Sequence, residues 1–286
     1  MKISETDLIL NKDGSVYHLN LLPKHISDTI IAVGDPSRVY KVSQHFDEIE
    51  FEMNKREFIT HVGRFNGKRI TVISTGIGCD NVEIFLTEID ALVNIDLKTR
   101  EPKSRKKKLK IIRIGTSGAL QEDIPVGSHL VSEYAVGLDN LMEFYDFQMD
   151  SFEKMIAEDI QTKTGLPFKP YVVKGSGALK TQIGFDMISG NTITSPGFYA
   201  PQGRKVRAAT RFPKLLESLN YYHNKSSEFW LTNFEMETAA YYALGRMLGH
   251  EMLSVNAIIA NRIKNKFSKD HDKIVDTLIV KVLERI

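Results

Sequence analysis

The chain has one cysteine, Cys79, and one tryptophan in 286 residues, and no apolar run approaches the length needed to span a bilayer. A single thiol excludes an internal disulfide and a cysteine-rich metal site, which fits a reducing compartment. Neither charge sign dominates: 38 Lys and Arg stand against 36 Asp and Glu, a net charge of +2. That bias is too small to imply a nucleic-acid partner. The N-terminal MKISETDLIL turns acidic and polar too early for a secretory signal. A soluble protein of the cytoplasm, with no membrane contact, is therefore expected. Chemical motifs are missing as well. There is no GxGxxG after a first strand, no GxxxxGK[ST], no HExxH and no GxSxG. Dinucleotide, nucleoside-triphosphate, metalloprotease and α/β-hydrolase readings lose support accordingly. Cys79 follows a glycine turn, but no histidine partner is evident for a nucleophilic thiol.

With 42% apolar residues, a chain of this length can bury a large core, as one α/β domain or two fused halves. The stretch most informative about function is Lys110 to Leu120, KIIRIGTSGAL. It reads as a buried parallel strand running into a tight, ligand-facing glycine turn at Gly115 to Gly118. Arg113 lies inside the apolar run, where a charge is expensive unless paired. Two readings follow: an anion site at the sheet's C-terminal edge, or a structural arginine held by a buried Asp or Glu. Thr29 to Val33 predicts an earlier strand, and GDPSR after it supplies Gly34 and Arg38 at a helix start, a second candidate anion cluster unless Arg38 is a solvated surface residue.

Phe51 to His61 alternates loosely around Arg56 and Glu57, and Asn66-Gly67 predicts a hairpin into Arg69 to Ser74. After Thr75 to Cys79, the spacing of Val82, Phe85, Leu86, Ile89 and Val93 predicts an amphipathic helix, completing a βαβ crossover to the strand at Ile111. The basic segment from Leu97 to Lys110 lacks interleaved aromatics and reads as a solvated loop rather than an RNA-binding patch. Further strands are predicted at Val126 to Val131, Phe168 to Val173, Thr192 to Thr194 and Met252 to Ala260, with a turn at Gly175 to Gly177. Phe198-Tyr199-Ala200-Pro201-Gln202-Gly203-Arg204 combines aromatic faces with Gln and Arg, a mixture that suits a flat polar ring or a surface loop tucked onto the core. Glu235 and Glu237 precede a helix reaching Leu248; they serve its dipole or bind vicinal hydroxyls. A last helix is predicted over Asp272 to Ile286.

GDPSR, REF at Arg56 to Phe58, STGIG at Ser74 to Gly78, RIGTSGA at Arg113 to Ala119 and NFEMET at Asn233 to Thr238 together resemble the nucleoside phosphorylase family of uridine phosphorylases and hexameric purine nucleoside phosphorylases. The motifs run in order over nearly the whole chain. The resemblance implies one domain over residues 1–286, a three-layer α/β/α fold on a mixed, partly barrel-like sheet, and dimers that share active sites, with a trimer of dimers as the larger option. It implies a phosphate set of Gly34, Arg38, Arg113 and Thr116, with Arg56 entering from a neighbouring subunit. Met236 and Glu237 resemble the ribose pair, and His18 the histidine that reaches across a dimer to the 5′-hydroxyl.

Phe198, Gln202 and Arg204 resemble the uridine-type base loop, with Ile259 and Ala260 lining the base pocket and Arg262 supporting the loop. Purine-type relatives carry an acid where this chain has Asn261. The implied activity is reversible pentosyl transfer between uridine and inorganic phosphate, with Arg113, Gln202, Arg204 and Glu237 as the catalytic set. The alternatives are broader nucleoside specificity or a catalytically silent nucleoside- or RNA-binding protein. Phosphate is a co-substrate and no cofactor is implied. Some relatives hold a monovalent cation at the dimer interface with a Glu, an Ile and a Ser; Glu57 and Ile77 match, but Asn81 replaces the Ser and argues against that ion here.

Overall fold

The computed structural model describes residues 2–286. Eleven strands form its main sheet: β1 (Thr29–Val33), β2 (Glu48–Lys55), β3 (Phe58–Phe65), β4 (Lys68–Ser74), β5 (Lys110–Ala119), β6 (His129–Gly137), β7 (Tyr171–Lys174), β8 (Ile188–Thr194), β9 (Asn233–Glu235), β10 (Glu251–Asn261) and β11 (Lys266–Phe267). Seven α-helices accompany them: α1 (Ser37–Ser43), α2 (Cys79–Asn94), α3 (Ser151–Thr164), α4 (Gly177–Ile183), α5 (Leu215–Asn220), α6 (Thr238–Leu248) and α7 (His271–Leu283). The architecture is three-layered, α/β/α, on a mixed sheet. Strands β4, β1, β5 and β10 run parallel, with β3 and β2 added antiparallel at one edge.

β5, β9, β8, β6 and β10 pair in a closed circuit, because β10 bonds both β5 and β6 while β9 bonds β5 antiparallel. This circuit is the barrel-like part of the sheet. Both faces of the parallel strands are covered, and side-chain alternation divides them. Ile30, Ala32, Ile111 and Met252 pack with α2 and α6. Ile31, Val33, Ile112, Ile114, Leu253 and Val255 pack on the opposite face, against α1, α4 and α7.

Several local expectations are corrected. β5 runs unbroken through Gly115 to Gly118, so no turn lies there. Arg56 sits in a hairpin turn between β2 and β3, with φ 53°, rather than inside a continuous alternating segment. Gly175 to Gly177 leads straight into α4, capped by the Ser176 hydroxyl, which accepts the Leu179 N–H. Helices α3, α4 and α5 had no sequence prediction. The basic segment is bound locally: Lys103 and Lys106 donate to the Val93 and Asn94 carbonyls at the α2 C-terminus, and Lys107 and Lys108 pair with Asp28 and Glu251. Cations on the last carbonyls of a helix meet the negative end of its dipole.

Glu153 joins three of these elements. Fully buried, it accepts two hydrogen bonds from Arg246 on α6 (2.6 and 2.8 Å), one from the Lys174 N–H on β7 and one from the Asp150 N–H that starts α3. Glu153→Ala strands a guanidinium and two amides and is expected to destabilise the fold by about 3 kcal/mol. Chemical denaturation, compared with wild type at constant m-value, measures it.

Candidate active site

The parallel strands deliver their C-terminal ends to one place, the edge where ligands bind in open α/β sheets. Gly34 follows β1, Gly76 and Ile77 follow β4, Thr116 to Gly118 end β5, and Ile259 to Arg262 end β10. These positions line a cavity of about 1050 Å³ together with Arg38, Glu57, Arg113, Phe198, Gln202, Arg204, Glu235, Met236 and Glu237. The structure thus brings together every proposed phosphate, ribose and base residue except two. Arg56 lies in the β2–β3 turn beside the lining residue Glu57. His18 is tied down elsewhere: its Nδ1 is 2.7 Å from Glu88 Oε1, and the same buried carboxylate accepts its backbone N–H.

Arg113 is the buried centre of the site. Its Nη2 donates to Glu237 Oε2 (2.5 Å) and lies 3.0 Å from Glu235 Oε2, and its Nη1 reaches Asn256 Oδ1 (3.1 Å) and Ser254 Oγ (3.3 Å). Arg113 is held by buried carboxylates, as one of the two sequence readings expected, and it also lines the cavity. Burial pulls its pKa down, but Glu235 and Glu237 more than reverse this, so the group stays charged. Gly115 is required by this packing, since a Cβ there would lie 2.0 Å from Arg113 Nη1. The glycine that the sequence suggests for a turn instead makes room for the guanidinium.

Glu237 also accepts the Gly78 N–H at 2.9 Å, from a residue with φ 102°. Burial raises the Glu237 pKa, Arg113 opposes the rise, and Glu235 adds to it. Glu235 accepts the Glu237 and Thr238 amides at the start of α6, so one carboxylate caps the helix and flanks Arg113. Arg38 is anchored by one nitrogen on the Ile114 carbonyl (3.1 Å). Its pKa is lowered first by burial and next by Arg113, which sets two guanidiniums against one corner of the cavity.

The other end is built differently. Arg204 Nη1 donates to Gln202 Oε1 and to the Phe198 carbonyl, both at 2.6 Å, and its guanidinium lies over the Phe198 ring at 3.6 Å. This contact orients the buried Gln202 amide and leaves Nε2 as its donor. Burial, then the neighbouring Arg262, lowers the Arg204 pKa to about 10. Arg262 lines the same end, with its own pKa lowered by burial and Nη1 buried without a hydrogen-bond partner. Cys79 is buried, and burial, followed by Asp139, pushes its thiol far up, which suits packing and not nucleophilic attack.

Residues 28–286 match the family described as the phosphorylase superfamily. The chain belongs to that superfamily. It is 29% identical over 275 residues to a uridine phosphorylase of Thermococcus kodakarensis, covering 95% of this chain and 88% of the relative. It is 25% identical over 242 residues, 84% of each chain, to a DeoD-type purine nucleoside phosphorylase of Streptococcus suis. Among solved structures it resembles a Trypanosoma brucei nucleoside phosphorylase described as showing uridine phosphorylase activity, with TM-score 0.89 and 29% identity, covering 98% of this chain and 100% of the other. Among the described residues, no helix is long and apolar enough to cross a membrane.

Asn256 and Ser254 escaped the sequence reading, although the rule that singled out Arg113, a polar residue inside an apolar run, applies equally to MLSVNAII. Asn261, read only as the absence of an acid, proves to be structural. Its Nδ2 donates to the Gln121 and Ile124 carbonyls (2.8 and 3.0 Å) and its Oδ1 accepts the Ile263 and Lys264 amides. Asn261→Asp sets a carboxylate oxygen against two carbonyls and is expected to destabilise the protein by about 2–3 kcal/mol. Thermal unfolding of the variant at neutral pH reads this loss.

Proposed function

We propose that the protein is a uridine phosphorylase: it transfers the ribosyl group of uridine to inorganic phosphate, giving uracil and α-D-ribose 1-phosphate, reversibly. The observation that carries this reading is that two clusters line one cavity, Arg38 and Arg113 with Glu237, and Gln202 with Arg204 and Arg262. Phosphate binds against Gly34, Arg38, Thr116 and Arg113, where two adjacent guanidiniums favour a dianion. Glu237 accepts hydrogen bonds from the 2′- and 3′-hydroxyls, with Met236 against the sugar. A phosphate oxygen attacks C1′ as the C1′–N1 bond breaks, and the bonding electron pair leaves with the base.

Positive character on the ribose is stabilised by the phosphate itself, and negative charge on the departing uracil by Gln202, Arg204 and the positive potential of Arg262. No covalent nucleophile is needed. The buried amide of Asn261 offers no proton for a purine leaving group, which favours a pyrimidine over the purine alternative. The family resemblance adds a dimer in which His18 and Arg56, neither of which lines this chain's own cavity, complete the neighbour's site, with the whole chain acting as one domain in the cytoplasm.

A panel of uridine, thymidine, cytidine, inosine and adenosine, assayed with and without phosphate, tests the reading. Uridine is expected to give the highest kcat/KM, strictly dependent on phosphate; inosine equal to uridine would refute the assignment of the base loop. Arg113→Ala should lower turnover by about 10²–10³-fold, the loss expected of a charge-assisted contact to a transferring group. Removal of single lysines between Lys103 and Lys110 should leave turnover nearly unchanged.

Assembly has its own test. Mixing inactive His18→Ala/Arg56→Ala chains with inactive Arg113→Ala chains should restore activity, since a mixed dimer assembles one intact site. Mixed dimers that are verified by mass and remain inactive would show that both residues serve their own chain.

A further inference from the structure

Within the closed circuit of strands, a chain of buried polar side chains runs from Arg113 to Ser117. It passes through Asn256 on β10, Ser132 on β6, Thr192 on β8 and Asn233 on β9, all of them fully buried. The contacts are Arg113 Nη1 to Asn256 Oδ1 (3.1 Å), Asn256 Nδ2 to Ser132 Oγ (3.3 Å), Ser132 Oγ to Thr192 Oγ1 (2.6 Å), Thr192 Oγ1 to Asn233 Oδ1 (2.9 Å) and Asn233 Nδ2 to Ser117 Oγ (2.9 Å). Buried polar groups in a sheet core are retained at a cost unless each is satisfied.

With the Asn256 and Asn233 amides oriented as in this structure, the bonds of the chain run in one direction. Arginine has donors and no acceptor, so Asn256 must meet it with oxygen and turn its NH₂ toward Ser132. Ser132 accepts that bond and passes its own hydrogen to Thr192. Thr192 in turn donates to Asn233 Oδ1, and the Thr232 hydroxyl lies between that oxygen (2.8 Å) and the Asn191 carbonyl (3.0 Å). Asn233 is left to present its NH₂ to Ser117. Ser117 therefore accepts from Asn233, and its hydroxyl hydrogen remains for an acceptor in the cavity that this residue lines.

From this relay we infer that Ser117 is a specificity-determining hydrogen-bond donor to a carbonyl oxygen of the nucleoside's base, and that Asn233, Thr192, Ser132 and Asn256 are positioning residues that fix its polarity from Arg113. Ser117 lies in register with Ile258 on β10, next to Gly118, which pairs with Ala260 of the proposed base wall. The inference rests on the nucleoside phosphorolysis reading.

Steady-state kinetics with the best nucleoside of the panel test it. Ser117→Ala is expected to lower nucleoside kcat/KM about tenfold, the typical loss for one neutral hydrogen bond, with phosphate KM changed by less than about twofold. Ser117→Thr keeps the hydroxyl and should restore most of the loss. Asn233→Asp turns the Asn233–Ser117 bond around, because a carboxylate accepts the Ser117 hydrogen, and should reproduce the Ser117→Ala defect. The double variant should then be no worse than either single one, because both remove the same donated hydrogen.

Unchanged nucleoside kinetics in Ser117→Ala, additive losses in the double variant, or parallel rises in both KM values would overturn the assignment, the last being the mark of a merely structural role. Failure of the functional reading looks different: wild type would then turn over no nucleoside of the panel in the presence of phosphate, and the assignment of Ser117 would fall with it.

Discussion

A buried guanidinium held by two buried carboxylates organises this protein. Arg113 emerges from the middle of β5 into the circuit of strands, with Glu235 and Glu237 on one side and Asn256 and Ser254 on the other. Removing one partner of such a set leaves an uncompensated charge in the core, a loss of about 3–5 kcal/mol. Much else follows from accommodating it. Gly115 has no side chain because the guanidinium fills that space, Gly78 turns an amide to Glu237, and Glu235 both caps α6 and balances Arg113.

The same cluster ties the two chemical tasks of the proposed reaction together. Glu237 and Arg113 satisfy each other across 2.5 Å, although one is assigned to the sugar and the other to phosphate. Because the two groups share this contact, sugar and phosphate binding in the proposed reaction are electrostatically linked. The base end has a different balance. Arg204 and Arg262 lie beside one another, and neither has a carboxylate among the groups that shift its pKa. A ligand that gains negative charge as its glycosidic bond breaks is the natural complement of that surplus.

Particular residues show how far the sequence could be read. Strand β1 falls on the continuous apolar run TIIAV, and α2 and α6 lie close to where their periodic apolar faces and the Gly249 stop place them, with Gly249 at φ 80°. The glycines near Arg113 misled because glycine signals permission for close approach as well as for a turn, and only the packed guanidinium distinguishes the two. Helix α3 was missed although Asp150 and Glu153 form a capping box at its start, and its anchoring partner Arg246 is 93 residues away in the chain.

By itself, the sequence determined which residue types meet at the cavity: arginines and glutamates placed at strand ends and helix starts, an aromatic loop with Gln and Arg, and the amide of Asn261. Those properties are local, since a charge in an apolar run and a glycine after a strand declare themselves without knowledge of their neighbours. Tertiary structure alone decided what each one touches. The pairing of β10 with both β5 and β6 closes a circuit of strands and brings Arg113, Ser117, Asn233 and Asn256 within one hydrogen-bonded chain. Register between strands more than a hundred residues apart sets those contacts, and register is fixed by the packing of the whole sheet rather than by any short stretch of it.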